Sequence, residues 1–369
     1  MLTLPDLPFC IGAQPQPHNP PGIPDTYPFE LVLDEAVGVL RQRAAPGLAD
    51  LLRRAYALGT EIGTPSADSP GGLPYVDDFV AFIERHAPRP GRALEIGAGV
   101  GYLSSVLARR GWRVDSIEPG RGYATHWRRY GVDVINEFFP TPAAPGPYDL
   151  IVFYTVLEHI DDPQMFLRDV VTHLADGGIA VLAVPDCGDE TAAGDPSMLL
   201  HEHFQYFTAA GLHRVLAAAG LYGVVTRSTY GRSVYAAVAA GAAASPMVDD
   251  DETRQLRDYA RKVHALRDRL AERMAMALKA GSLGVFCPAR ALAVVDAGSP
   301  VRFFDDADAL RGRYFPPFTA PVEGRGTLFA DPPDALWIMS RTFGESLRAA
   351  LAPHLGGRPV LTLEELAGA

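Results

Sequence analysis

Residues 92–111 constrain the fold more than any other part of the chain. They read as a short buried strand, then glycine at every second position (Gly97, Gly99 and Gly101), and then an amphipathic helix. Glycines at this spacing let the backbone turn tightly and approach a ligand closely. The free N–H groups and the positive dipole end of the helix then face that ligand. The segment therefore predicts a cofactor site of the nucleotide type at the carboxyl end of a strand.

The glycine spacing and two carboxylates indicate which cofactor is bound. A dinucleotide fingerprint needs its third glycine one position later, where this chain has Tyr102. Glu95 lies two residues before the first glycine, where a carboxylate suits a cationic ligand better than a pyrophosphate. Glu118 ends the next predicted strand, 112–117, where an acid can accept hydrogen bonds from both hydroxyls of a ribose. A glycine loop alone is equally typical of an ordinary strand–helix turn, whereas the set E-x-G-x-G-x-G with Glu118 resembles the class I S-adenosylmethionine (SAM) methyltransferases.

That resemblance implies SAM as the cofactor and a site at the carboxyl ends of the strands. The third predicted strand is 132–135 and the fourth is 148–154, and both are followed by candidate binding residues. The predicted cofactor-binding residues in this part of the chain are Glu95, Gly97, Ala98, Gly99, Gly101, Glu118, Pro119, Glu137, Phe138, Tyr154, Leu157 and His159.

Composition limits the class of protein and its partners. A chain of 369 residues predicts two or three domains, and 48% hydrophobic with 21% charged residues is typical of a soluble globular chain. The net charge of −11 argues against a nucleic-acid partner, because binding to phosphates requires basic patches. Cys10, Cys187 and Cys287 are far apart and predict neither a disulfide framework nor a metal site. With no recognisable signal peptide or membrane span, we expect a cytoplasmic protein that acts on a small molecule without a membrane partner; its oligomeric state is left open.

The alternation of strand and helix patterns predicts an α/β fold, a class I methyltransferase (Rossmann-like) doubly wound parallel sheet followed by a smaller α/β domain. Residues 1–70 read as a proline-rich arm, a hairpin over 25–43 and a helix over 46–58. Residues 71–245 form the predicted SAM-binding domain, from a helix at 75–86 to a closing strand pair at 221–228 and 233–240. A connecting helix is predicted within 246–280, and the second α/β domain within 281–369, including a helix at 289–297.

The most informative polar cluster is the segment MLLHEHFQYF, residues 198–207. It follows the fifth predicted strand through a long loop, at the edge of the sheet where loops carry function. His201 and His203 flank Glu202, and histidine titrates near neutrality, so an acid–base cluster is one interpretation. A surface loop or a structural hydrogen-bonding knot is another. A metal site is the least favoured of the three, because no third ligand accompanies the two histidines, and we predict no metal.

A closer resemblance concerns this cluster, residues 149–160 and three C-terminal stretches at 303–306, 312–316 and 331–334. From about residue 75 to the end, the chain resembles bacterial C-methyltransferases of nucleotide-linked keto-deoxysugars, typically dTDP-4-keto sugars, in antibiotic and surface-glycan pathways. The H-E-H-F-x-Y-F element is fairly specific, whereas the glycine loop marks only the superfamily. The resemblance implies that His203 is the general base, that Glu202 supports it and that Tyr75 contacts SAM, and we include His201 among the predicted catalytic residues.

Two departures from that family bear on the prediction. The cysteine-rich zinc module with which the family usually begins has no counterpart among the cysteines of this chain, which again predicts no zinc. Leu200 stands where the family tends to have tyrosine, which leaves the acceptor atom open. We therefore expect SAM-dependent C-methylation of a nucleotide-linked keto-deoxysugar through an enolate. The alternatives are an O- or N-methyltransferase acting on a sugar or natural product, and a non-catalytic SAM-binding partner protein.

Overall fold

The computed structural model describes residues 1–9, 12–57, 72–229, 233–241, 249–296, 298–341 and 343–368. Its strands are β1 (Leu2–Pro8), β2 (Thr26–Asp34), β3 (Val39–Gln42), β4 (Arg92–Ile96), β5 (Arg113–Ile117), β6 (Val134–Ile135), β7 (Tyr148–Tyr154), β8 (Leu174–Pro185), β9 (Gln205–Tyr206), β10 (Leu221–Arg227), β11 (Ser233–Ala240), β12 (Leu283–Phe286), β13 (Arg302–Phe304), β14 (Val322–Glu323), β15 (Ala335–Ile338) and β16 (Val360–Thr362). Its α-helices are α1 (Leu48–Ala57), α2 (Leu73–His86), α3 (Tyr102–Arg109), α4 (Ala124–Tyr130), α5 (Pro163–His173), α6 (Gly188–Ala193), α7 (Ala209–Ala218), α8 (Asp250–Ala280), α9 (Arg325–Ala330), α10 (Gly344–Leu351) and α11 (Leu363–Ala367).

The central sheet has seven strands in the order β10-β11-β8-β7-β4-β5-β6. Strands β4 to β8 are parallel, and β10 and β11 form the antiparallel strand pair that the sequence predicts. Helices α2 and α3 cover one face, and α5 and α7 cover the other. The middle strands are buried on both faces, which explains their nearly continuous apolar runs. The class I methyltransferase sheet is confirmed, and the loops at its carboxyl edge are placed to form a site.

A second sheet, antiparallel, joins the N-terminal segment to the predicted catalytic element. Its order is β1-β2-β3-β9, so β3 pairs with the two residues that directly follow the H-E-H-F sequence. The hairpin β2–β3 and the helix α1 are as predicted, but the prediction of an extended arm over residues 1–24 is wrong for β1. Leu2, Leu4 and Leu7 alternate into a core, and the prolines are tolerated because β1 is an edge strand.

The third sheet is parallel, with the order β14-β13-β12-β15-β16. The long helix α8 connects the sheets as predicted: its first half packs on the N-terminal sheet, and its second half packs on this one. The helix predicted at 289–297 is wrong, because Pro288–Arg290 forms a single 3-10 turn and turns follow it. The adjacent β-branched Val294 and Val295 disfavour a helix, and residue 297 lies outside the described residues. The chain positions that we predicted for domain boundaries stay a prediction.

Candidate active site

The glycine loop lies between the end of β4 and the start of α3. Gly97, Gly99 and Gly101 have φ values of +76°, +49° and +80°, in the left-handed region that favours glycine. A Cβ atom at Gly97 would stand 2.5 Å from Cγ2 of Val156, whereas nothing lies within 4 Å of one built at Gly99. Gly97 is therefore required by packing against the segment after β7, and Gly99 borders open space that a ligand can fill.

Glu118, at the end of β5, is hydrogen-bonded to this loop. Its Oε2 accepts from the N–H of Gly99 at 2.8 Å and its Oε1 from that of Gly120 at 2.6 Å. The indole N–H of Trp127 donates to the carbonyl of Gly99 at 2.7 Å, which holds the loop from its other side. Burial raises the pKa of Glu118. The acid that the sequence assigns to a ribose is thus fixed beside the open face of the loop.

Glu95 is buried beneath the same loop. The hydroxyl of Ser104 donates to its carboxyl group, and Ser104 and Ser116 are hydrogen-bonded at 2.6 Å. Burial raises the pKa of Glu95 to about 8. Among the described residues no arginine, lysine or histidine forms an ion pair with Glu95 or Glu118. Acids without a cationic partner suit SAM, whose sulfonium and ammonium groups are positive, and the open space at Gly99 suits its close approach, so the residues present fit this cofactor.

The other predicted cofactor residues surround this edge of the sheet in different ways. Ala98 is part of the loop, Pro119 follows Glu118, and Glu137 and Phe138 lie at the surface after β6, with Phe138 70% exposed. Tyr154 ends β7, where burial raises its pKa to about 12 and the nearby Tyr75 of α2 adds to the shift. Leu157 differs from the prediction, since its side chain is fully buried in the core and leaves only its backbone near the cleft.

The two histidines of the H-E-H sequence have different environments. His201 is 1% exposed, its ring stacks on Phe9 with centroids 5.4 Å apart, and its Nε2 lies 3.2 Å from the carbonyl oxygen of Leu7. These contacts attach strand β1 to the loop, so the structure does not support the prediction that His201 shares in catalysis. His203 is also buried, but its ring faces His159, with centroids 4.9 Å apart.

His159 and Glu158 come from the turn Leu157–His159, directly after β7. The Nδ1 of His159 donates to the carbonyl of Glu202 at 2.9 Å. Burial lowers the pKa of His159 to about 4, and burial together with His159 holds the pKa of His203 well below its usual 6.5. His203 is therefore a neutral imidazole at neutral pH, the form that can accept a proton.

Glu158, which we did not predict as a site residue, is the most unusual group here. It is 1% exposed, and neither of its carboxyl oxygens has a hydrogen-bond partner among the residues that the structure describes. One ligand atom from each of Glu158, His159 and His203 lies within 4.8 Å of the other two, a set that could hold a metal ion. The sequence analysis sought a third ligand for His201 with His203, whereas the fold places His159 and Glu158 beside His203.

Tyr56 is the second site residue that sequence reasoning missed. It lies on α1, is 43% exposed, and donates a hydrogen bond of 3.1 Å from its hydroxyl to Oε2 of Glu202. Burial raises the pKa of Glu202 to about 8. Burial and Glu202 raise the pKa of Tyr56, with smaller contributions from Tyr123 and Glu118. No sequence pattern links residues 146 positions apart.

Comparison with known proteins relates part of this chain to methyltransferases. Residues 73–226 match the family model described as a methyltransferase domain. The chain is 33% identical over 102 residues to a ubiquinone biosynthesis O-methyltransferase of Caulobacter sp. (strain K31), covering 25% of this chain and 40% of that protein. It is 30% identical over 148 residues to the enzyme of the same description from Aeromonas salmonicida, covering 35% and 62% respectively. The chain thus spans less than two thirds of the length of these relatives.

Solved structures are similar at lower identity. The complex of DhpI with S-adenosylhomocysteine is 23% identical, with 46% of this chain and 87% of that chain covered and a TM-score of 0.35. The 1,6-didemethyltoxoflavin-N1-methyltransferase of Burkholderia thailandensis, with its substrate and S-adenosylhomocysteine bound, is 16% identical, with coverages of 57% and 99% and a TM-score of 0.42. No helix in the described part of the chain is both long enough and apolar enough to cross a bilayer. The methyltransferase domain and its cofactor, SAM, are as the sequence predicted.

Proposed function

We propose that this chain, whose residues 73–226 are a methyltransferase domain, methylates a small carbon acid, most specifically a nucleotide-linked keto-deoxysugar. The observation that carries the proposal is the neutral imidazole of His203, which directly follows a carboxyl group paired with the hydroxyl of Tyr56. A base beside two neutral hydrogen-bond donors suits removal of a proton from carbon next to a ketone.

The cofactor side of the proposed cleft consists of the glycine loop and two buried acids. The backbone at Gly99 allows close approach of a ligand and Glu118 is placed for a ribose. Glu95 is a buried carboxyl group beneath the loop, and the positive charge of bound SAM would favour its ionised form. Bound SAM supplies an electrophilic methyl group on a positively charged sulfur. The protein must therefore provide and orient a nucleophile.

His203 is the proposed general base. Because burial and His159 keep its imidazole neutral, it can take a proton at neutral pH without first losing one. A positioned general base contributes about 10²–10⁴-fold to a rate. Its removal should therefore slow the reaction strongly while the cofactor site stays intact.

Tyr56 and Glu202 are the proposed donors to the enolate oxygen, and the hydroxyl proton of Tyr56, which is donated to Glu202 in this structure, would turn to that oxygen. Tyr56 keeps its proton because its pKa lies well above the usual value, and Glu202, with a pKa of about 8, is mainly protonated at pH 7. Two neutral donors stabilise a developing negative charge, and the loss of one such donor typically costs about 10²–10³-fold in rate. The phenol of Tyr56 contacts the H-E-H element, next to Leu200, which stands where the family tends to have tyrosine.

The substrate class, the location and the domain division belong to the same proposal. The resemblance of residues 75–369 to the sugar C-methyltransferases favours a nucleotide-linked sugar, and the net charge of −11 disfavours nucleic acid. We propose a cytoplasmic enzyme with an N-terminal segment at 1–70, the methyltransferase domain at 71–245, a connecting helix and a C-terminal α/β domain at 281–369.

Proton exchange tests the base directly. The protein is incubated in D2O with S-adenosylhomocysteine and a dTDP-4-keto-deoxysugar, and the signals of the protons beside the ketone are followed by NMR. We expect enzyme-dependent loss of one such signal, and no loss with His203→Ala, which should still bind S-adenosylhomocysteine in calorimetry. Exchange at the wild-type rate in His203→Ala would overturn the assignment of the base.

An O-methyltransferase is the second candidate, and the curated relatives favour it. Those relatives are described as O-methyltransferases of ubiquinone biosynthesis and match part of the methyltransferase domain. In that case His203 would take the proton from a hydroxyl group, and the remaining residues would keep their roles. The absence of exchange with cofactor binding confirmed, together with a product whose new methyl group is on oxygen, would decide for this candidate.

A further inference from the structure

The carboxyl group of Glu158 lacks a compensating partner within the described chain. It is 1% exposed, and both of its oxygens are without a hydrogen-bond partner among the described residues. Its own backbone N–H offsets the effect of burial only in part, and its electrostatic neighbour Glu202 carries the same type of group and does not compensate it. Buried polar side chains in native proteins are nearly always hydrogen-bonded, so two such oxygens call for an explanation. A cation bound from solution would explain them, and the neighbouring side chains are of types that can bind such a cation.

His159 presents a nitrogen lone pair to this carboxyl group. A backbone carbonyl oxygen only accepts hydrogen bonds, so the contact of 2.9 Å with Glu202 puts the ring proton of His159 on Nδ1. Its Nε2, 4.0 Å from Oε1 of Glu158, then carries the lone pair. A hydrogen bond from the far ring nitrogen to a carbonyl or carboxylate is the usual outer contact of a metal-bound histidine.

His203 completes the set. Its ring meets that of His159 edge to face, and no described residue forms a hydrogen bond with its ring nitrogens. The three ligand atoms lie within 4.8 Å of one another. Ligand atoms of a tetrahedral zinc ion, at about 2.0–2.2 Å from the metal, lie about 3.3–3.6 Å apart, so side-chain movements of about 1 Å would bring these three atoms onto one ion. The side chain of His159 is 28% exposed, which gives an ion a path from solvent.

We propose that Glu158, His159 and His203 form a binding site for one divalent transition-metal ion of the Zn²⁺ class. Two imidazoles and one carboxylate favour Zn²⁺ over Mg²⁺ or Ca²⁺, which prefer sets made of oxygen ligands. A bound ion uses the lone pair of His203, so it competes with proton abstraction. This competition rests on the proposed function, whereas binding itself does not.

Binding is tested by titrating metal-free protein, without an affinity tag, with Zn²⁺ against a chromophoric chelator. We expect one tight equivalent in the wild type. In Glu158→Gln and His159→Asn we expect affinity to fall by at least the 10–100-fold that changes to outer contacts cause. The matched control is His173→Asn, because Nδ1 of His173 also contacts a backbone carbonyl oxygen, that of Asp169, at 2.7 Å, but outside the cluster. Equal Zn²⁺ affinity in wild type and Glu158→Gln would overturn the site.

X-ray absorption at the zinc edge, measured on the wild-type complex, tests the metal site even if a variant does not fold. We expect only nitrogen and oxygen ligands, at about 2.0–2.2 Å. A sulfur ligand at about 2.3 Å would place the ion on a cysteine and overturn the proposal. Thermal unfolding of each variant without metal identifies any that have lost the fold.

The competition is tested by the proton-exchange measurement at saturating Zn²⁺. We expect exchange to stop and to return when a chelator removes the ion. If Zn²⁺ binds to the three residues but proton exchange is unchanged, His203 is not both a ligand and the base. That result would overturn only the proposed competition and would leave the metal site standing. Because metal binding is measured without turnover, failure of the proposed methylation leaves the test of the site intact.

Discussion

The two parallel sheets of this protein share an architecture, but the acidic side chains at their carboxyl edges differ in whether they form ion pairs with arginine or lysine. At the edge of the methyltransferase sheet, Glu95, Glu118, Glu158 and Glu202 are buried, and no described arginine or lysine forms an ion pair with any of them. At the edge of the C-terminal sheet, Asp306 pairs with Arg325 at 2.5 Å and Glu323 pairs with Arg302 at 2.9 Å.

This difference shows that the site is made by the loops and not by the type of sheet. An unpaired buried acid destabilises a fold unless it is protonated or meets a cation, so four of them near one edge are costly to maintain. A positively charged cofactor accounts for Glu95 and Glu118, and the proposed metal ion accounts for Glu158. Asp306 and Glu323 at the edge of the C-terminal sheet are compensated within the protein by arginines. The predictions below test this contrast.

The largest effect is expected at His203. Replacement by alanine removes the proposed base, so kcat should fall by about 10²–10⁴-fold. The counterpart at the other sheet is Arg325→Ala, which breaks an ion pair but touches no proposed site residue. Steady-state kinetics of both variants check this, and a comparable fall of kcat in Arg325→Ala would remove the functional contrast between the two edges.

Tyr56→Phe should come next. It removes one proposed donor, so kcat should fall by about 10²–10³-fold with the affinity for SAM unchanged. Tyr222→Phe is the matched control, because its hydroxyl donates only to the backbone carbonyl of Ala217. A rise of KM with unchanged kcat would instead assign Tyr56 a purely binding role.

Gly99→Asp should weaken SAM binding without unfolding the protein. The added side chain enters space where no protein atom lies within 4 Å, and filling a close-fitting site typically costs about 1–3 kcal/mol, or about 5–150-fold in affinity. Gly357→Asp is the control: Gly357 also has a positive φ, +79°, and open space, but it lies in the C-terminal region. Calorimetry with SAM should separate the two variants, and an equal loss of affinity in both would contradict the assignment of the loop.

Stability should fall as the pH rises from 6.5 to 8. The pKa values of Glu95, Glu158 and Glu202 are raised to about 8, so between their usual 4.5 and 8 the folded state binds more protons than the unfolded state. Each group then lowers the free energy of unfolding by up to about 1.4 kcal/mol per pH unit. His159 and His201 have pKa values lowered to about 4, so they make the free energy of unfolding rise with pH, but only between about pH 4 and pH 6.5.

Urea unfolding at pH 6.5 and pH 8 measures this slope. Glu158→Gln should make it shallower, because one of the three titrating carboxyl groups is gone. A free energy of unfolding that stays constant or increases over this interval would mean that the buried acids are charged throughout, and the contrast with the C-terminal sheet would lose its energetic basis.

The smallest effect is expected for Glu323→Gln. The side chains of Arg302 and Glu323 are about one quarter exposed, and ion pairs of this kind contribute about 0.2–1 kcal/mol. Urea unfolding should show a loss in this range, with SAM affinity unchanged. A change in SAM affinity would mean that the C-terminal sheet affects the cofactor site, so the two edges could not be treated as independent.

Local patterns predict most of the fold, including the glycine loop at the carboxyl end of β4. The alternation of strands and helices, the glycine loop and the position of Glu118 each depend on residues close in sequence. Strand β1 was missed because prolines suggested an arm, and its burial depends on pairing with β2. The helix expected at 289–297 was wrong because valines and tertiary packing outweigh a short apolar run.

The acceptor side of the site was predicted less well, for a geometric reason. His201 and His203 are two residues apart but face different surroundings, and only the path of the loop decides which one meets His159. Tyr56 contacts Glu202 across 146 positions of sequence. Glu158 stands out only because its buried carboxyl oxygens have no hydrogen-bond partner among the described residues. Spacing alone carries none of this information.

The pairing of β3 with β9 has a consequence for how such a protein can diversify. Strand β3 lies outside the matched methyltransferase domain, and its pairs Leu40 with Tyr206 and Arg41 with Gln205 help to hold the H-E-H element, which lies within that domain. The H-E-H side of the proposed cleft is thus supported by β1, β2 and β3, which lie outside the matched domain. Recombination or grafting of those strands can alter which acceptor is admitted while methyl-donor recognition is inherited unchanged.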